Sequence, residues 1–179
     1  MNDAIGILMI FMEVGMDTIQ AIKSRVSIRK YKTIPVPIEM LKDIADCGRL
    51  APSGYNHQPW VFVVVTDQNL RYQISQTARY GMFIKDAGAC IAVFCNKVGE
   101  TILEDACTST ENMIIAAQSY GLGTCWVNSH KKPHSEEIKK ILACPPEYEL
   151  MTLIAVGYPD EEKKTPKKLL DEVLRWNKF

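Results

Sequence analysis

A chain of 179 residues with 47% hydrophobic content is long enough to bury one sizeable core, and that length points to one domain rather than two. Lysine plus arginine and aspartate plus glutamate balance at 21 each, so no global field selects nucleic acid or an acidic membrane surface, and any ligand must be met through a local site. The six cysteines, Cys47, Cys90, Cys95, Cys107, Cys125 and Cys144, contain no C-x-x-C pair; this argues against zinc and against a disulfide framework, and favours buried reduced thiols in a cytoplasmic protein.

Residues 1–15 hold the apolar run Ile5 to Met12, but no Lys or Arg precedes Lys23. A secretory signal wants a basic start, and the run falls short of the ~20 apolar residues that span a bilayer. The segment reads as an extension ahead of a natural beginning at Met16-Asp17-Thr18, with one domain over 16–179. Asp17 and Thr18 can cap a short amphipathic helix to Ser24, with Ile19 and Ile22 on one side. Ile38, Leu41, Ile44 and Ala45 predict a second helix that stops near Leu50, before Pro52.

Val61 to Thr66 is a β-branched run suited to a strand buried on both faces, and Ile91 to Cys95 predicts another. Gln68 to Arg79 is a helix between them. Glu100 to Tyr120 carries the longest helical pattern, closed by Gly121. Thr124 to Val127 and Leu150 to Val156 predict two more strands, with a charged helix at Ser135 to Leu142. The tail is charged from Asp160 and amphipathic at Leu169 to Trp176, so Lys163 to Phe179 is the piece expected to leave the globule and embrace a second chain. Mixed elements around a long central helix argue for a layered α+β domain.

Two stretches carry chemistry. Arg25, Ser27 and Arg29 alternate along an extended segment, so their side chains share one face and outline a phosphate clamp. Ala51 to Trp60 is a loop rich in donors and acceptors that opens onto a buried strand; Asn56 and Gln58 can each present an amide to a heterocycle. Tyr80, Phe83 and Trp126 are candidates for a substrate wall. His57, His130 and His134 lack metal-ligand company, and the latter two fall in a Lys-rich stretch expected to be solvated; no metal is assigned.

Taken together, these stretches resemble the nitroreductase family. Arg25, Ser27 and Arg29 match its R-x-S-x-R segment, and Pro52, Ser53, Asn56, Gln58, Pro59 and Trp60 its P-S-x-x-N-x-Q-P-W loop. Gly121 to Trp126 looks like its G-L-G-T-x-W stretch, Gly157-Tyr158-Pro159 its G-Y-P turn, and Lys167 with Lys168 a basic pair before the terminal arm. The resemblance covers Met16 to Trp176.

It implies a central, mainly antiparallel sheet flanked by helices, in an intertwined homodimer with FMN at the interface. It further implies that Arg25 and Ser27 hold the FMN phosphate with help from Lys167 or Lys168, and that Arg29 lies nearer the ring. Ser53, Gly54, Asn56 and Gln58 would approach the ring from the opposite subunit, while Gly123, Trp126 and Val127 run along it. Val26 departs from the pattern, standing where a second basic residue is usual.

The expected activity is hydride transfer from NAD(P)H through the flavin to a small acceptor such as a nitroaromatic, quinone or enone, with no catalytic side chain required. Reductive dehalogenation and flavin fragmentation are rival reactions on the same scaffold. A non-catalytic flavin carrier, or a binding protein without any cofactor, is the rival from another class. Neither nucleic acid nor a membrane is expected as a partner.

Overall fold

The computed structural model describes residues 16–97 and 99–179, so the extension read over 1–15 lies outside the described residues. Four strands form one sheet: β1 (Trp60–Val65), β2 (Ala89–Asn96), β3 (Gly123–Asn128) and β4 (Tyr148–Gly157). Their order is β1-β2-β4-β3, with every neighbouring pair antiparallel. The helices are α1 (Thr18–Ser24), α2 (Ile38–Arg49), α3 (Gln68–Thr77), α4 (Ile102–Ser119), α5 (Ser135–Ile141) and α6 (Leu170–Val173). Two 3-10 turns, Gly54–Asn56 and Met82–Asp86, complete the set. The α+β class and the antiparallel sheet flanked by helices are as expected.

Helices cover both faces of the sheet, which is why the two central strands are continuous apolar runs. In β2, Ala89, Ile91, Val93 and Cys95 share a core with Leu41 and Ile44 of α2 and Met113 and Ala117 of α4. The intervening Cys90, Ala92 and Phe94 share the other core with Ile74 of α3 and Ile138 of α5. This is the period of two that a pleated strand imposes.

The first strand departs from expectation. It is an edge strand paired only with β2, and Val61 and Val64 are exposed; its valines reflect β propensity rather than burial on both faces. In α1, Asp17 caps the N-terminus by accepting from the amides of Ile19 and Gln20, yet Ile19 and Ile22 point outward and only Ala21 is buried.

Two devices position the region around β3. At the end of α4, Gly121 has φ +73°; its N–H donates to the Gln118 carbonyl and that of Leu122 to Ala117. This paired closure turns the chain directly into β3. In β4, Val93 faces Thr152 while Phe94 faces Leu150, which leaves Met151 as the extra residue of a bulge. The Met151 carbonyl accepts from the amides of both Ser129 and His130, so the bulge anchors the loop that leaves β3.

The tail leaves the globule. From Glu162 to Phe179 every residue is exposed. The amphipathic stretch Leu169 to Trp176 makes only the single turn of α6, with Leu169, Leu170, Val173 and Trp176 uncovered by their own chain.

Candidate active site

The segment after α1 lies along the outer edge of β3. Ser27 forms a parallel bridge with Thr124, and the Ile28 amide donates to the Thr124 carbonyl at 2.8 Å. Gly123 permits that approach: a Cβ there would stand 2.8 Å from Ile28 Cβ. With Ile28 buried inward, Arg25, Ser27 and Arg29 take the alternate positions of the extended segment. Arg25 is half-buried, its Nε 3.9 Å from Glu111 of α4. Val26, partly buried, packs against the second core.

Arg29 reaches a cavity of about 1000 Å³. Tyr80, Met82, Phe83 and Trp126 wall it, together with Cys125, Val127 and Asn128 of β3. The Arg29 guanidinium lies 5.8 Å from the Phe83 ring centroid and forms no ion pair among the described residues. The three aromatic residues singled out from the sequence therefore share one cavity with Arg29 and Val127.

The donor-rich loop lies elsewhere in the single chain, since none of Ser53, Gly54, Asn56 and Gln58 lines this cavity. It is built firmly. Asp105 of α4, a buried carboxylate, accepts from the Gly54 amide at 2.9 Å and from the Thr101 hydroxyl at 3.1 Å. Thr108 donates to the Pro52 carbonyl, and Ser53 Oγ accepts from the Gln58 amide. Tyr55, Asn56 and Gln58 have φ of +50°, +59° and +48°, a region costly for side chains other than Asn. Tyr55 and Gln58, two costly residues in four positions, are strain of the kind held where a site needs a particular shape. Asn56 and Gln58 are exposed, as are Lys167 and Lys168 on the tail.

A model of the nitroreductase family matches residues 22–94 and 96–158. The chain belongs to the nitroreductase family. A protein of Methanothermobacter thermautotrophicus, provisionally named NADH dehydrogenase/NAD(P)H nitroreductase, is 34% identical over 155 residues, covering 84% of this chain and 81% of the relative. An iodotyrosine deiodinase of Thermotoga neapolitana is 28% identical over 183 residues, covering 88% and 96%. Among solved structures, an FMN-dependent nitroreductase of Clostridium difficile superposes with a TM-score of 0.84 at 31% identity, covering 90% of this chain and 99% of that one.

This nitroreductase-family chain also holds residues, beside the candidate clamp and loop, that the motifs do not point to. Glu161 accepts from the backbone amides of Arg29 at 2.6 Å and Lys30 at 3.1 Å, and these bonds hold its carboxyl below the usual carboxylate range. With the bridge between Tyr31 and Pro159, it ties the clamp segment to the start of the tail. A lone acidic residue in a charged run gives no sequence signal for this role. Asp105 was equally hidden, sitting in what reads as the polar start of a helix.

The two histidines of the Lys-rich stretch are not solvated as expected. His130 Nε2 is buried 3.3 Å from a Glu149 carboxylate oxygen, and His134 bonds the buried Ser129 hydroxyl at 3.2 Å while lining the cavity. Burial, with Lys132 nearby, lowers the pKa of His134 and favours the neutral ring. The six thiols are unpaired; Cys90, Cys95 and Cys125 are buried, whereas Cys47, Cys107 and Cys144 are only half-buried. No cluster of metal-ligating side chains occurs among the described residues, and no described helix is long and apolar enough to cross a membrane.

Proposed function

We propose that this chain is an FMN-dependent NAD(P)H oxidoreductase that reduces a small flat acceptor. The observation that carries this reading is the cavity of about 1000 Å³ between aromatic walls, with the unpaired Arg29 guanidinium at its side and the Ser27 and Arg25 positions continuing from it along β3. The donor set suits the cofactor: guanidinium and hydroxyl groups match a phosphate, and Trp126, Phe83 and Tyr80 match a planar ring.

FMN, when bound, supplies the two-electron hydride chemistry. The chain's own residues bind and orient. Arg25 and Ser27 would take the phosphate, with Lys167 or Lys168 adding positive charge, and Gly123, Trp126 and Val127 would run along the ring. Arg29 would hold its cation beside the ring's pyrimidine edge, where negative charge grows on reduction.

Ser53, Gly54, Asn56 and Gln58 belong to a second copy's cavity in this reading. Their separation from the cavity in one chain, the strained and anchored loop that carries them, and the uncovered tail all support a homodimer in which each subunit completes the other's site. The working compartment is the cytoplasm, consistent with six unpaired cysteines.

The test is the absorption spectrum of the purified protein before and after anaerobic NADH or NADPH. We expect a yellow protein that bleaches with reductant and recovers with an added quinone or nitroaromatic. Reductant and acceptor share one cavity, so initial-rate lines at several fixed acceptor concentrations should be parallel; intersecting lines would contradict the shared site. A yellow protein that neither reductant bleaches would instead be a carrier, and a colourless one that refuses FMN would end the flavin reading.

The deiodinase relative favours a second reading, reductive dehalogenation of an aromatic substrate in the same cavity. Release of iodide or bromide from a halophenol under reducing conditions, without comparable turnover of quinones, would select it.

A further inference from the structure

A groove separate from the flavin cavity runs between the extended segment 31–38 and the turn joining β1 to α3. It encloses about 680 Å³ and shares no lining residue with the cavity beside Arg29. Lys32, Arg71 and Lys85 line it, against a single carboxylate, Asp86. None of the three cations makes an ion pair among the described residues.

Arg71 is the unusual member. Its Nη1 donates to the Thr66 carbonyl and its Nε is buried from solvent without a partner among the described residues, so a molecule in the groove would meet the guanidinium at its outer nitrogens. A guanidinium carries five donors, and one buried without an acceptor costs the desolvation that pairing would recover. The Asp67 carboxylate acts on it electrostatically without closing an ion pair among the described residues. Burial outweighs that carboxylate, lowering the Arg71 pKa from the ordinary arginine value.

The other wall is apolar and preformed. Ile34, Pro35, Pro37 and Ile38 are exposed along it, and the two prolines restrict the backbone. Between them the buried Val36 locks the segment against Gly88, where an added Cβ would lie 2.8 Å from Val36 Cγ2. An exposed apolar strip facing an under-paired guanidinium is complementary to an amphipathic anion.

We infer that this groove binds a small molecule bearing one phosphate or carboxylate on an apolar body, with its head on Arg71, Lys32 and Lys85 and its body along the Ile34 to Ile38 wall. The site goes beyond the oxidoreductase reading and does not depend on it.

The experiment is a ¹⁵N NMR titration of FMN-loaded protein, so that the flavin cradle is already filled. The probes are phenyl phosphate, benzoate and, as the neutral control, benzyl alcohol. We expect saturable shifts of the Arg71 Nε–H and of the amides of Thr33, Ile34, Asp86 and Gly88 with at least one anion, and none with benzyl alcohol. Phenyl phosphate binding without benzoate would assign a phosphate site, and the converse a carboxylate site.

Arg71→Gln should weaken binding about tenfold or more, the worth of a charge-assisted hydrogen bond. If that variant does not fold, the double variant Lys32→Gln/Lys85→Gln should weaken binding several-fold instead. Shifts confined to Tyr80 and Trp126, equal affinity in the folded variants, or equal binding of benzyl alcohol would each overturn the site. None of these outcomes bears on whether NAD(P)H bleaches the flavin.

Discussion

Arg29 has two attachments that define what it can do. Its side chain projects into the cavity without a carboxylate partner, and its backbone amide is held by Glu161 across 132 residues of sequence. The first suits it to the proposed role of an electrostatic element beside the flavin ring. Arg29→Ala should lower the midpoint potential of bound FMN by about 30 mV or more, equivalent to about 1.4 kcal/mol for a two-electron couple; an unchanged potential in a spectroelectrochemical titration would remove the role. The second attachment makes Glu161 a positioning residue. Glu161→Ala should weaken FMN binding roughly threefold to tenfold by freeing the Arg29 and Lys30 amides, measured by flavin fluorescence, while near-ultraviolet circular dichroism stays unchanged. The folded pKa of Glu161 is lowered, so its hold is complete above the ordinary value of 4.5 and is lost as the pH falls through the folded value. FMN retention in the parent protein should therefore drop on acidification more steeply than in the variant.

At the scale of elements, the sheet and helices were legible because the patterns that specify them are local. Strand β2 and helix α4 each carry their period along their own length, and Gly121 marks the stop between α4 and β3. What stayed hidden depends on partners distant in sequence. Val61 and Val64 have the composition of a central strand and sit on an edge, because strand order is set by packing that no six-residue run encodes. The Met151 bulge is likewise invisible in a continuous apolar run. So is the buried pair Thr110 and Thr152, whose hydroxyls meet at 3.1 Å and join α4 to β4. Thr152→Val should cost about 1–3 kcal/mol by leaving the Thr110 hydroxyl unsatisfied, whereas Thr110→Val/Thr152→Val should be close to neutral. Urea denaturation of the two variants checks this, and equal losses would mean the pair is not coupled.

At the scale of the whole molecule, the candidate site was legible in its parts but not in its assembly. Arg25, Ser27, Arg29 and the loop from Ser53 to Gln58 could be named from residue type and spacing. One chain brings the first group to the β3 edge and leaves the loop outside the cavity. Leu169, Leu170, Val173, Trp176 and Phe179 lie uncovered on the tail, with Trp176 at 80% exposure, more apolar surface than a monomer gains by displaying. Removing residues 169–179 should loosen both the proposed dimer and FMN retention, because cofactor binding and assembly are linked when two chains share a ligand. Light scattering and the 450 nm absorbance of the truncated protein measure both; an intact dimer with full flavin content would defeat the linkage.

The bond from Arg29 to Glu161 also orders events in time. Its acceptor follows its donor by 132 residues, and the Thr124 carbonyl that receives Ile28 likewise lies far downstream of it. Closing loops of this length is entropically late in folding. A growing chain therefore carries Arg25 and Arg29 long before it has anywhere to put them, and their segment gains its seat only once β3 and Glu161 have been made.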